Sequence, residues 1–548
     1  MSEARALPPD AAARERALEP GASFIVQAPA GSGKTTLLTQ RYLALLATVA
    51  RPEAVLAITF TNKAAAEMRE RVQDAFARAA AGAPPKNPAD AVTLRMAGAV
   101  LAHGRRAGWS LEEQPAQLRI QTIDALNHWL AARLPVLSRA GVGLSVETRP
   151  ADLYALAAER TLAAIDDGSP LADAVATVLE HADNDAERVR DQLVGMLATR
   201  ERWLRLVMRT PGGAGGSLRA TLEAALAEQI GGVLAAASRA LGATDPTRLV
   251  ARATVAAGRV PDADDDQCAL AAAPGWPWPA GTGMLPAWRS LARLLLTGDG
   301  RWRRAVNVRN GFPPEAKSDK AEFTALLAAL AADEALRRGL VAVRDLPPPS
   351  YPEAEWRALA ALHEVLLGAA ARLQQVFAER GRVDFVAVSR AALEALGTPD
   401  EPTDLTIALD ERIEHILVDE FQDTSAPQVA LVERLTAGWQ PGDGRTLFLV
   451  GDPMQSIYGF REANVSLFLE IRAAGLGALR PGALGLEANF RSRPALVEWC
   501  NAAFAAVLPP VEDLARGAVR HVTSQPTRSP VEGAAVHLEM LPDATPAG

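Results

Sequence analysis

Cysteine is nearly absent: Cys268 and Cys500 are the only two in 548 residues. That excludes a disulfide framework, a Cys₄ zinc site and an all-cysteine iron–sulfur cluster within the chain. No apolar run approaches the roughly 18 residues that a membrane helix needs. The N-terminal MSEARALPPDAAARERALEP is charged and lacks the apolar stretch of a signal peptide. A cytoplasmic protein with no membrane partner is the expectation. An overall basic field is missing too. The net charge is −8, from 57 Lys and Arg against 65 Asp and Glu, so any surface for nucleic acid must be local. What remains is an ordinary globular composition, 49% apolar and 22% charged, in a chain too long for one core.

Two stretches carry chemistry. The first is QAPAGSGKTT, Gln27 to Thr36. Gly31 and Gly33 let successive backbone N–H groups turn inward around phosphate oxygens. Lys34 adds a positive charge for the β- and γ-phosphates, and the Thr35 hydroxyl suits Mg²⁺. Ala28 stands where the usual pattern begins with glycine, and Pro29, Ala30 and Ser32 complete the loop. The apolar run Phe24-Ile25-Val26 precedes it. Leu38, Tyr42, Leu45 and Leu46 come after it at helical spacing. Strand, glycine loop and helix in that order place phosphate at a helix N-terminus, where the dipole favours it.

The second is ILVDEFQDT, 416–424, which sets Asp419 and Glu420 at the end of a buried strand. Ligands bind at that edge of an open parallel sheet. Adjacent side chains diverge, so one carboxylate can serve a metal while the other faces an attacking water. A solvated Asp-Glu turn is the plainer alternative, which an upstream phosphate loop makes the lesser reading. Phosphoryl transfer to water is the simplest reaction these parts support.

Organisation shows the same alternation. FIVQA, AVLAITF and LRIQTI alternate with helix-like segments over residues 1–133, and IEHILVDE and RTLFLVGD resume the pattern over 383–480. Between them, 134–382 is rich in Ala, Leu and Arg with helical periodicity, broken by turn clusters such as TPGGAGGS. The expectation is an α/β fold with a large, mostly helical inserted domain. From 481 the run LGLEANF and a helix begin a further unit, expected to be incomplete at 548. Within the insert, Arg301, Arg303, Arg304 and Arg309 surround Trp302. They are either a solvated face with one buried Trp or a contact for DNA.

With these stretches in place, the chain resembles superfamily 1 helicases of the UvrD/Rep type. The resemblance is carried by AITFTNKAAAEMRERV (57–72), ILVDEFQDT, FLVGDPMQSIYGFREA (448–463) and LEANFRSRPALVEWCN (486–501), in that order. The opening ARERALEPGASFIVQAPAGSGKTTLLTQRYLALL and RVDFVAVSRAALEAL (382–396) are similar to the RecB/AddA-like branch, which feeds recombinational repair. The resemblance implies a RecA-like P-loop NTPase, with 481–548 as the start of a second RecA-like motor domain. It implies ATP and Mg²⁺ as cofactors, and an ATP-dependent translocase or helicase moving 3′ to 5′ on single-stranded or tailed duplex DNA. A second subunit of a helicase-nuclease complex is an implied partner.

By position, Lys34 and Thr35 would hold phosphate and Mg²⁺, Asp419 the metal, and Glu420 would activate water. Gln455 would sense the γ-phosphate, Arg491 would reach the phosphates and Phe490 would stack on adenine. Phe60, Asn62, Tyr458, Phe460 and Arg461 would face single-stranded DNA, where stacking works on any base. Two departures stand out. The glutamine that reads adenine in the family has no counterpart between Asp10 and Arg14. The remaining motifs of the second motor domain, with their arginine finger, are not found after Asn501, nor is a nuclease domain, so a longer natural protein is expected. A nucleotide-gated DNA-binding subunit that does not cycle is the alternative reading.

Overall fold

The computed structural model describes residues 8–111, 114–133, 145–209, 216–260, 262–279, 281–456, 464–514, 517–530 and 536. These divide into two compact units, one formed by residues 1–152 with 375–548 and the other by Leu153–Gln374.

The first unit is built on a parallel sheet. Its strands are β1 (Phe24–Gln27), β2 (Val55–Thr59), β3 (Arg119–Thr122), β6 (His415–Val418), β7 (Thr446–Gly451) and β8 (Gly482–Gly485), in the spatial order β3-β2-β6-β7-β1-β8. A short parallel pair, β4 (Ser145–Val146) with β5 (Arg382–Val383), and another, β9 (Ala488–Asn489) with β10 (Gln525–Pro526), lie outside it. The inner strands are buried along their whole length and mostly apolar because both faces are covered. Phe24, Val26, Val55, Ala57, Leu417, Phe448 and Val450 face one core with Leu38, Tyr42 and Met68. Ile25, Leu56, Ile58, Ile416, Val418, Leu447 and Leu449 face the other with Leu126, Leu393 and Trp439. Each fully buried large apolar side chain contributes about 1.5–3 kcal/mol. A one-residue slip of β1 would exchange its two faces, so the register Phe24↔Phe448 to Gln27↔Gly451 is strongly specified.

Three helices of this unit flank the strand ends that carry the motifs: α1 (Ala11–Ala17), α2 (Lys34–Leu46) and α3 (Asn62–Ala80). Buried Arg41 ties the segment before β1 to the sheet. Its guanidinium donates to the carbonyls of Ala17, Glu19 and Ala22 and lies over the rings of Phe24 and Phe448.

The sheet extends past residue 480, where the motif reading begins a separate domain. β8 pairs in parallel with β1, Phe24 opposite Gly482 through Gln27 opposite Gly485. Gly482 permits this, since a Cβ there would meet the Phe24 ring at 3.2 Å. The segment carrying Asn489, Phe490 and Arg491 therefore leaves the same sheet as the phosphate loop.

The second unit is helical among its described residues, apart from an isolated bridge between Leu296 and Trp302. Its largest core gathers Leu249, Ala253, Trp288, Leu291, Phe323, Leu336 and Leu340. Trp302 packs against that core, while Arg301, Arg304 and Arg309 are exposed and Arg303 donates to the carbonyl of Arg293. Arg301 pairs with Asp299 at 3.2 Å. Trp302 is thus half-buried beneath an exposed group of arginines.

Candidate nucleotide site

The carboxyl ends of β1, β6 and β7 deliver the site. β1 runs into the phosphate loop, where Ala28 N–H still pairs with Gly451 O at 2.9 Å. Ser32 N–H closes a turn onto Pro29 O. Gly31 and Gly33 then adopt φ of +79° and +78°, left-handed values that other residues rarely take. α2 starts at Lys34. Its Thr36 and Leu37 N–H groups both reach Gly33 O, leaving the preceding N–H groups at the helix start without intrahelical acceptors. Ser32 Oγ is buried and, among the described residues, has no partner. Orphaned donors and a buried hydroxyl around a glycine loop fit an anionic phosphate.

β6 ends at Val418, and Asp419 N–H still bonds Ile58 O. Glu420 then turns left-handed at φ +51°, a conformation costing on the order of 1–3 kcal/mol. That step stops the strand and starts the short turn Phe421–Asp423, anchored by the fully buried Phe421 against Phe468. Asp419 and Glu420 thereby separate. Asp419 is buried, and burial pushes its carboxyl up to about 6, opposed by nearby Lys34 and reinforced by Glu420. Glu420 instead forms an ion pair with Lys34 Nζ.

β7 brings Asp452 and Gln455. Gln455 Nε2 donates to Asp452, whose burial raises its pKa. One residue that the motif reading gives no role connects these parts. Gln422 donates to Glu420 Oε2 at 2.8 Å and to Asp423 Oδ2 at 3.2 Å, and its side-chain carbonyl accepts Asp452 N–H at 2.9 Å. Gly451 makes room for it, because a Cβ there would fall 2.4 Å from Gln422 Oε1.

The strand end after β8 closes against the loop. Phe490 N–H bonds Gly31 O at 2.8 Å and Asn489 Nδ2 donates to Ala30 O at 3.1 Å. Asn489 Oδ1 in turn accepts the N–H groups of Arg491 and Ser492. A Cβ on Gly31 would collide with Asn489 Oδ1 and Arg491 Cβ at 2.8 and 2.9 Å. Arg491 and Phe490 are both exposed beside the loop. Asn489 is another residue to which the motifs give no role; only its place in LEANF points to it.

Two further groups escape a reading of motifs. Asp10 and Arg14, on either side of three alanines, form a bidentate pair at 2.7 and 2.9 Å. Asp10 also accepts the N–H groups of Glu487 and Ala488. The pair occupies the region where the family glutamine is missing.

Lys34, Glu420, Gln422, Asp452 and Gln455 thus form one connected set, with Asp419 beside it and Phe490 and Arg491 across the loop. Thr35 and Asp419 offer hard oxygen donors of the kind Mg²⁺ takes. Among the described residues no group of three or more His, Cys, Asp or Glu could hold a metal. Phe60 is half-buried at the end of β2, and Asn62 is exposed at the start of α3, which Thr61 caps. Tyr458, Phe460 and Arg461 lie outside the described residues. No helix among those described is long and apolar enough to cross a membrane.

Comparison with known families matches residues 10–189 and 348–474 to the UvrD/REP helicase N-terminal domain. The chain belongs to that family. The UvrD/REP match covers both halves of the sheet unit up to the helix after β7, and so contains the phosphate loop, the Asp-Glu strand end and Gln455. Among similar proteins, an ATP-dependent helicase/nuclease subunit of Desulforudis audaxviator (strain MP104C) is 28% identical over 561 residues, 94% of this chain. The matched part is 41% of that relative, so the chain spans about two fifths of its length. The helicase/nuclease subunit of the same name from Pelotomaculum thermopropionicum is 34% identical over 183 residues, 31% of this chain and 14% of the relative. The exonuclease/helicase subunit RexA of Lactococcus lactis subsp. cremoris is 39% identical over 118 residues, 21% of this chain and 9% of the relative. These UvrD/REP relatives are of the RecB/AddA-like branch that the opening motifs resemble.

Proposed function

We propose that this chain is the ATP-binding motor portion of a DNA helicase or translocase that works on single-stranded DNA, 3′ to 5′, in recombinational repair. The observation that carries the reading is the meeting of Lys34 from the β1 loop with Glu420 from the β6 end, linked through Gln422 to Asp452 and Gln455 on β7. In P-loop enzymes such a set binds a nucleoside triphosphate and directs water at its terminal phosphate.

The roles come from chemistry. Backbone N–H groups from Gly31 to Thr35 hold phosphate oxygens, and Lys34 neutralises them. Arrival of the phosphates draws Lys34 away from Glu420, leaving that carboxylate to accept the proton of the attacking water. Gln422 keeps Glu420 aimed while it connects with the β7 end. Arg491 faces the phosphates and Phe490 supplies a stacking plane. Mg²⁺ bound by Thr35 and Asp419 would neutralise charge on the phosphates. Phe60 and Asn62, at the same sheet edge, would face DNA together with Tyr458, Phe460 and Arg461. The names of the relatives suggest a second subunit of a helicase-nuclease complex as partner.

The test has two parts. Binding of a fluorescent ATP analogue by this chain, lost in Lys34→Ala, supports the site. ATP hydrolysis with and without single-stranded DNA, and unwinding of 3′- against 5′-tailed duplexes, are then measured on this chain and on one extended through a second motor domain. Binding without DNA-stimulated hydrolysis in both proteins favours the nucleotide-gated binding subunit instead.

A further inference from the structure

Beside the phosphate loop stands a guanidinium that the roles above leave unused. Arg14 is held on its Nε and Nη2 side by Asp10, at 2.7 and 2.9 Å. Nη2 also donates to Ser32 O at 2.6 Å, inside the phosphate loop. Asp10 is itself fixed, since it is buried and accepts Glu487 and Ala488 N–H at 2.9 and 3.0 Å, just ahead of Phe490. The Arg14 guanidinium carbon lies 5.1 Å from the centroid of the Phe490 ring. A Cβ built on Gly33 would be 3.6 Å from that ring and 3.8 Å from Arg14 Nη1. Gly33, Phe490 and Nη1 therefore border one space above the start of α2. Nε and Nη2 are engaged, whereas Nη1 has no acceptor among the described residues.

Resting on the nucleotide reading, we infer that Arg14 is the group that meets the edge of the base, and that it makes the site one for purine nucleoside triphosphates without preference for adenine. A guanidinium only donates. Adenine presents an acceptor at N7 next to a donor at N6, so Nη1 is matched at one atom and opposed at the other. A 6-oxo purine presents acceptors at both N7 and O6. A glutamine amide, with donor and acceptor side by side, selects adenine; Arg14 rewards guanine and hypoxanthine. Stacking on Phe490 is indifferent to the choice, because each purine offers the same face. The Asp10 pair and the Ser32 carbonyl hold the guanidinium in place, so it does not swing aside to spare the adenine amino group.

The experiment is displacement of a ribose-labelled fluorescent ATP analogue from the 548-residue chain by unlabelled ATP, GTP, ITP and CTP with Mg²⁺. The expected result is that GTP and ITP compete at least as well as ATP, to within about threefold, with CTP weaker. Arg14→Gln should shift the order toward ATP by about tenfold, the scale of one good base-edge pair. Arg14→Lys, still a pure donor, should keep the wild-type order. Thermal unfolding of each variant checks that it folds. A wild-type preference for ATP above about tenfold over both GTP and ITP overturns the inference. So does an order unchanged in a folded Arg14→Gln protein. Failure of the labelled analogue to bind at all, with the chain folded, instead overturns the nucleotide reading itself.

Discussion

Lys34 and Glu420 are 386 residues apart in sequence and form a direct ion pair at the head of the sheet. Each is the other's counter-charge, so on the proposed roles each competes with the other's function. Glu420→Gln removes that competitor from Lys34 and, on the same reading, the proposed base. Nucleotide affinity should hold or rise a few-fold, while hydrolysis in a complete motor should fall by about 10²–10⁴. Lys34→Ala should instead cost binding. Titration with the labelled ATP analogue and steady-state hydrolysis separate the two, and unchanged hydrolysis in Glu420→Gln would reject Glu420 as the base.

Gly31 gives a steric test of the closure between the loop and the Asn489 segment. Ala at Gly82, with φ +63° and open space, isolates the cost of a left-handed alanine, about 1 kcal/mol. Ala at Gly31 adds the collision with Asn489 and Arg491, about 1–3 kcal/mol more. Thermal unfolding should rank Gly31→Ala below Gly82→Ala, and only Gly31→Ala should weaken nucleotide binding.

Gln422→Met keeps length and loses both hydrogen-bonding ends. The Asp452 N–H is left buried without its acceptor, which should destabilise the fold by about 1–3 kcal/mol. In a hydrolysing motor kcat should fall with little change in KM, because Glu420 loses its orienting amide while the phosphate contacts proposed for Lys34 are untouched. A raised KM with unchanged kcat would assign Gln422 to binding instead.

His415 predicts a pH dependence of stability. It is buried on β6 with Nδ1 2.8 Å from Thr446 Oγ1, and burial, with Arg41 nearby, pushes its pKa down from 6.5 to about 4. The unfolded chain therefore binds a proton first as pH falls. The contribution of a neutral His415 is full above about 6.5 and declines as pH drops toward 4, by on the order of 3 kcal/mol in all. Urea unfolding at pH 7 and pH 5 should show about 2 kcal/mol of that loss, and His415→Gln should remove it from the difference.

The strands within FIVQA, AVLAITF, IEHILVDE and RTLFLVGD are legible from sequence because their apolar runs are nearly continuous, as double-sided burial requires, whereas the edge strand in LRIQTI shows itself by alternation. The phosphate loop and the Asp-Glu end are legible for a related reason: glycines and carboxylates directly after such runs have few structural uses. These features are local. The pairing of β8 with β1 is not, since GALG carries little side-chain signal and owes its place to the room its glycine leaves for Phe24. Nor are the partners of Gln422, Asn489, Asp10 and Arg14 readable from their neighbours. Asp10 and the N–H groups of Glu487 and Ala488 meet across almost the whole chain, and Asn489 reaches Ala30 in the same way. By itself the sequence determined which residues could hold phosphate and which could serve as base. The folded sheet decided which of them touch, because hydrogen bonds between distant segments depend on strand order and register, and a single strand carries no record of either.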